Sequence, residues 1–320
     1  MSDREASNGS AERRLGVFKT YKLYVGGKFP RSESGRVYEV TTKTSATGSG
    51  SGQWLANAPR SSRKDARDAV VAARKAFGGW SGATAYNRGQ VLYRVAEMLE
   101  GRKEQFVREV AASEGLSRSK AAAAVDAAVD RWVWYAGWTD KIGQIAGGAN
   151  PVAGPYFNLS TPEPTGVVAV LAPQKSSLLG LVSVLAPVIA TGNTAVVVAS
   201  ADAPLPALSL GEVLATSDVP GGVVNILSGG TAEIATPLAA HGDVNAIDLT
   251  GADAELAKEL EIAAADNLKR VLRPRSGEAD GASGSADWLA SPGTDRLTAF
   301  LETKTVWHPT GALGAAGSSY

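Results

Sequence analysis

The sequence predicts an α/β fold built on a doubly wound parallel sheet preceded by helices. Two observations carry that prediction. From Thr165 onward, short runs that are apolar throughout alternate five times with helical stretches, as strands covered on both faces require. Before Thr165 the apolar residues instead recur at helical spacing over long segments.

Taken in order, the runs are GVVAVLAP (166–173), a helix to Ala190, NTAVVVAS (193–200), a helix from Pro204 to Ser217, and GVVNILSG (222–229). They continue as a short helix over Ala232–Ala240, NAIDLTG (245–251), a helix over Ala254–Asn267, and LKRVLRP (268–274). Upstream, the spacing predicts helices over Arg63–Phe77, Asn87–Ala112 and Ser119–Ile142. Tyr21–Val40 alternates around Gly26-Gly27 and Ser34-Gly35, which suggests two short strands joined by turns. Residues 1–18 and the tract Thr44–Gln53 offer little to bury and are expected to be disordered. After Pro274 the pattern gives way to a Ser/Gly/Ala/Asp linker, residues 275–296. A strand-like segment over 297–308 and a loose tail, 309–320, follow.

Composition excludes several functions. Lys+Arg and Asp+Glu both number 32, so no global field favours nucleic acid or an anionic membrane. With no cysteine there is no disulfide, thiolate metal site or thiol nucleophile. The two histidines, His241 and His308, lie far apart with no motif around either, so no metal site is expected. The opening MSDREASNGSAERR lacks an apolar core, and Leu178–Ala190 is too short to span a bilayer; a cytoplasmic location is the expectation.

Several stretches stand in one order. They are LYVGGKFPRSESGRVYEV, AFGGWSGATAYNRGQVLYRVAEMLEGRKEQFVREVAASEG, YAGWTDKIG, EPTGVVAVLAP, ATGNTAVVV, VPGGVVNILSGG, LTGA, NLKRV and ETKTV. In order and spacing the chain resembles the aldehyde dehydrogenase superfamily over roughly residues 21–43, 65–272 and 297–307. The resemblance implies a Rossmann-like nucleotide-binding domain over 19–274. It also implies a small protruding β-arm formed by residues 150–164 and the strand at 297–308.

It further implies chemistry that this sequence does not spell out. The family's cysteine nucleophile is missing. The Pro-Trp-Asn motif that supplies an oxyanion donor reads Pro173-Gln174-Lys175. The position of the deacylating glutamate is Pro274, and the ribose-binding Lys and Glu are Val198 and Ala201. The linker stands where the family carries its catalytic domain. On that basis the chain is expected not to be an enzyme, with no catalytic residues.

It is expected instead to be a regulatory or scaffolding subunit that joins a full-length aldehyde dehydrogenase. Tyr156, Phe157, Leu301, Lys304, Val306 and Trp307 of the arm would meet that partner by strand addition. No cofactor is expected. The alternative is an NAD(P)-responsive binding protein that uses the Thr250-Gly251 turn, kept at a helix start where an anion could sit. A residual enzyme with Lys175 or Glu278 as base is a third option.

Overall fold

The computed structural model describes residues 17–43, 52–274 and 287–310. A two-stranded antiparallel ribbon, β1 (Val37–Thr41) and β2 (Trp54–Pro59), leads into five helices: α1 (Arg63–Ser81), α2 (Ala85–Glu100), α3 (Lys103–Glu114), α4 (Arg118–Trp138) and α5 (Ile142–Ala146). Next come β3 (Gly148–Asn150) and β4 (Tyr156–Pro164). The main sheet follows as β5 (Val167–Leu171), α6 (Leu179–Ala190), β6 (Thr194–Val198), α7 (Leu205–Ala215), β7 (Val224–Leu227), α8 (Thr231–Ala240), β8 (Ala246–Asp248), α9 (Ala254–Ala265) and β9 (Arg270–Leu272). A single helical turn, α10 (Asp295–Thr298), precedes β10 (Leu301–Pro309).

The five sheet strands lie in the order β7-β6-β5-β8-β9, all parallel, so the expected doubly wound sheet is present. The amino end of β5 is held by two side-chain amides, the buried Asn193 and the half-buried Asn245. Asn193 accepts from the Gly166 backbone at 2.8 Å, and Asn245 accepts from the Val167 backbone at 3.0 Å. Gly166 has φ +138, and a Cβ there would come within 2.2 Å of the Asn245 side chain, so only glycine fits the entry to β5.

One face of the sheet packs against α1, α8 and α9 through Ala69, Val70, Ile234, Leu238 and Leu260. On the other face α6 and α7 cover β5, β6 and β7, backed by α2, α3 and α4. On that second face the strands β8 and β9 are met by the 287–301 segment. Trp288, Leu297, Phe300 and Leu301 join Ala246 and Leu272 in one apolar cluster. The expected linker is therefore docked over Asp287–Arg296, while residues 275–286 lie outside the described residues.

Four differences from the sequence expectations have local causes. The predicted helix Asn87–Ala112 is two helices, because the chain turns at Gly101-Arg102 and Arg102 reaches Glu212 on α7 at 2.8 Å. The third predicted helix stops at Trp138, where Thr139 turns its hydroxyl onto the Ala136 carbonyl, and a short α5 follows. Strand β2 was not foreseen, since WLANAP shows small buried alanines rather than a β-branched alternation. Phe18, expected in a disordered stretch, packs edge-on against Trp54 at 5.2 Å. The remainder of that stretch, residues 1–16, and most of the Thr44–Gln53 tract lie outside the described residues.

Asn193 also donates to the Phe300 carbonyl at 2.9 Å, so it joins the sheet to the base of β10. Asn193→Ala should orphan the buried Gly166 amide and leave the Phe300 carbonyl with the Thr165 backbone as donor, costing about 1–3 kcal/mol. The check is the urea midpoint at constant m-value.

Candidate site at the carboxyl edge of the sheet

Ligands on doubly wound sheets sit outside the carboxyl ends of the strands, where successive crossovers leave in opposite directions. Here that point lies between β5 and β8, since β6 and β7 extend to one side and β8 and β9 to the other. The chain leaves β5 as Ala172-Pro173-Gln174-Lys175 and leaves β8 as Leu249-Thr250-Gly251.

Gln174 is turned inward. Its amide donates to the Ala172 carbonyl at 3.0 Å, and its side-chain oxygen accepts from the Ala201 backbone at 2.9 Å. It therefore staples the ends of β5 and β6 and is not presented as a donor to a ligand. Val198, at the end of β6, is fully buried, whereas Lys175 is exposed. Pro274 closes the segment after β9, and Glu278 lies outside the described residues. The loop before α6 is held by Glu114, whose carboxylate accepts from the Ser177 backbone at 2.7 Å and from its hydroxyl at 2.6 Å. Burial pushes Glu114 above its ordinary value of 4.5, against the lowering effect of those two bonds and of Lys43.

Thr250 and Gly251, the expected nucleotide contacts, are both buried at the switch point. Their donors are spent within the fold. The Thr250 amide donates to Asp248 at 3.0 Å and the Gly251 amide to the Leu171 carbonyl at 3.0 Å. A Cβ on Gly251 would lie 2.0 Å from the Ala172 carbonyl, so this glycine is what lets β8 close against β5. Helix α9 begins at Asp253, whose carboxylate accepts from the Leu256 backbone at 2.9 Å. A negative side chain thus already occupies the helix start where a pyrophosphate would gain most. Beside it, α8 starts at Gly230 with no side-chain cap. The edge does not fit a pyrophosphate at the Thr250-Gly251 turn; the start of α8 lacks a side-chain cap but carries Glu233 in its first turn.

Sequence reasoning missed the group that dominates this turn. Asp248, fully buried, receives Arg296 of α10 at 2.8 Å, and Arg296 also donates to the Thr250 hydroxyl at 3.0 Å. Breaking such a pair from one side leaves an uncompensated buried charge, at a cost of about 3–5 kcal/mol. An aspartate within NAIDLTG is the signal that was available, because a carboxylate at the end of a strand buried on both faces needs a cation.

The arm is a second site. Strands β10, β4 and β3 form an antiparallel sheet in that order, with Trp307 opposite Asn158 and Lys304 opposite Thr161. Tyr156, Phe157 and Trp307 are exposed, and the Tyr156 and Trp307 rings meet edge-on at 5.8 Å. Lys304 is exposed and pairs with Glu163 at 3.1 Å, and Val306 is half-buried. Leu301 is not exposed as expected: it is only 9% accessible and packs into the main core, since it stands at the base of the arm.

Residues 39–280 match the model of the aldehyde dehydrogenase family. This chain belongs to that family. It is 33% identical over 269 residues to retinal dehydrogenase 2 of Gallus gallus, covering 81% of this chain and 49% of the relative. It is 29% identical over 257 residues to an aldehyde dehydrogenase of Aspergillus niger, covering 80% of this chain and 50% of that one. Among solved structures, the NAD+ complex of the Bacillus cereus aldehyde dehydrogenase superposes with a TM-score of 0.72 at 26% identity, covering 79% of this chain and 50% of that chain. This aldehyde dehydrogenase family member spans about half the length of these relatives.

One expectation is thereby corrected. The inference that the chain is not an enzyme rested on absent residues. It is overturned because the proteins that the chain matches over about four-fifths of its length are dehydrogenases, and nothing shows their activity lost here. Among the described residues no helix is long and apolar enough to cross a membrane.

Because Glu114 holds its proton more tightly folded than unfolded, its contribution to stability is full below pH 4.5 and declines as pH rises through its raised folded value. Glu114→Gln should flatten the fall in Tm above pH 4.5, read by thermal melts from about pH 4 to about pH 8. Gly251→Ala should separate β5 from β8 and lower stability by about 1–3 kcal/mol or more, measured by chemical denaturation.

Proposed function

We propose that this aldehyde dehydrogenase family chain works in the cytoplasm as a subunit of an NAD(P)-dependent aldehyde-oxidising assembly, joined through its β-arm to a full-length member of the family. The observation that carries this reading is the arm itself. Strand β10 is an edge strand whose far side pairs with no other described strand, and Tyr156, Phe157 and Trp307 stand exposed around it. Edges of that kind invite strand addition, and apolar side chains beside them give the contact its specificity. In this assembly the chain contributes its sheet edge and arm.

A second reading has its own support. The uncapped start of α8 at Gly230 lies at the same edge as the Thr250-Gly251 turn, and one structural neighbour was solved with NAD+. A chain that takes NAD or NADP by itself should show a concentration-dependent rise in Tm with either nucleotide.

Co-expression with full-length aldehyde dehydrogenases, followed by affinity capture and intact-complex mass analysis, tests the main reading. A mixed oligomer is expected, weakened at least about tenfold by Phe157→Glu with Trp307→Glu. A chain that assembles only with itself, or stays alone beside every relative tried, would sink it.

A further inference from the structure

The 287–301 segment does more than cover a sheet face. Arg296 closes a ring of polar contacts on the carboxyl-edge turn. One nitrogen meets Asp248 Oδ2 at 2.8 Å and another meets Thr250 Oγ1 at 3.0 Å, while the Thr250 hydroxyl and amide both donate to Asp248 Oδ1. Both carboxylate oxygens are therefore satisfied, and the guanidinium fork is what spans the two residues. The Trp288 ring lies over the guanidinium, 5.9 Å from Cζ to the ring centre. Trp288 is itself pinned, because Arg131 on α4 donates to its carbonyl at 2.6 Å and to that of Ala290 at 3.0 Å.

The other end of the segment runs straight into the docking strand. Just beyond α10, the Phe300 carbonyl accepts from Asn193 at 2.9 Å and from the Thr165 backbone at 3.2 Å. Leu297 and Phe300 are buried beside α6. Glu302, near the start of β10, pairs with Arg270 of β9 at 2.9 Å. Arg296 and Phe300 stand within about one helical turn of each other in sequence, so the turn at β8 and the root of the arm share one short connection anchored by buried Leu297 and Phe300.

We propose that residues 287–301 are a latch that couples the arm to the carboxyl-edge turn, with Arg296 as the positioning residue that sets the Thr250-Gly251 conformation when β10 is engaged by a partner strand. The grip on the turn stands on this chain alone, whereas the coupling to a partner rests on the co-assembly reading above. Loosening β10 frees Arg296, which leaves Asp248 buried without its cation and drives the turn to open. Engagement of β10 acts in the opposite sense. It holds α10 in place, keeps the ring closed and fixes the start of α9.

Amide hydrogen exchange tests both halves. In the chain alone, Arg296→Ala should raise exchange over residues 249–257 at least about tenfold while β6, residues 194–198, stays unchanged. Should Arg296→Ala not fold, Arg296→Lys is read by the same criterion, since an ammonium keeps the charge but cannot span Asp248 and Thr250 together. Unaltered exchange at 249–257 in a folded variant overturns the grip. In the mixed assembly, partner binding should slow exchange over 249–257 in the unmodified chain and leave the Arg296 variant unaffected. An assembly that forms without changing that segment overturns the coupling while leaving co-assembly intact. Failure of any mixed assembly to form overturns the coupling together with the co-assembly reading, and the chain-alone result still decides the grip.

Discussion

A parallel strand must be covered on both faces, and that constraint organises this molecule. Strands β5 and β6 are buried along their whole length, covered on one face by α1 and α8 and on the other by α6. Winding a chain in two directions from one central strand leaves an imbalance, however. Both α8 and α9 return on the side of α1, so β8 and β9 receive no crossover helix on the α6 side. The segment around α10 fills that quadrant with Trp288, Leu297, Phe300 and Leu301. What reads as a spacer in the sequence is thus in part a structural layer.

The same quadrant explains the polar chemistry beneath it. A carboxyl group at the end of a fully covered strand needs polar partners, and Asp248 has them on two sides, the Thr250 amide and hydroxyl and the Arg296 guanidinium. The arrangement draws the turn's hydrogen-bonding groups inward. Gly251 is likewise committed to β5 by its amide and by the lack of room for a Cβ. Such a turn is a joint between strands first, and its outward face carries the negative end of Asp253.

The parts of the fold legible in the sequence were those written in side-chain polarity. VVAVL, TAVVV and VNIL announce themselves because nothing polar interrupts them for long, and the helix stripes with Val91, Val95 and Leu99 do the same. Features set by backbone geometry or by distant partners were not legible. The break at Gly101-Arg102 depends on Glu212, far away in the chain, and β2 depends on pairing with β1. Of the site, Thr250 and Gly251 were found by motif, but the cation that binds them lies in a stretch of low sequence information. The mistaken inference about activity has the same root. Residues missing from motifs do not by themselves decide function, and family membership over most of the chain outweighs them.

The free side of β10 has a consequence for how this protein behaves in solution. Strand β10 has nine residues, no described strand pairs with its far edge, and Tyr156, Phe157 and Trp307 flank it; an edge of this kind is a template for pairing with another chain. A strand that bound this edge would stabilise the folded chain by mass action. Under the proposed co-assembly, melting temperature, solubility and lifetime in the cell would follow the stoichiometric ratio of two gene products, and an excess of this chain would carry the hazard of edge-to-edge aggregation.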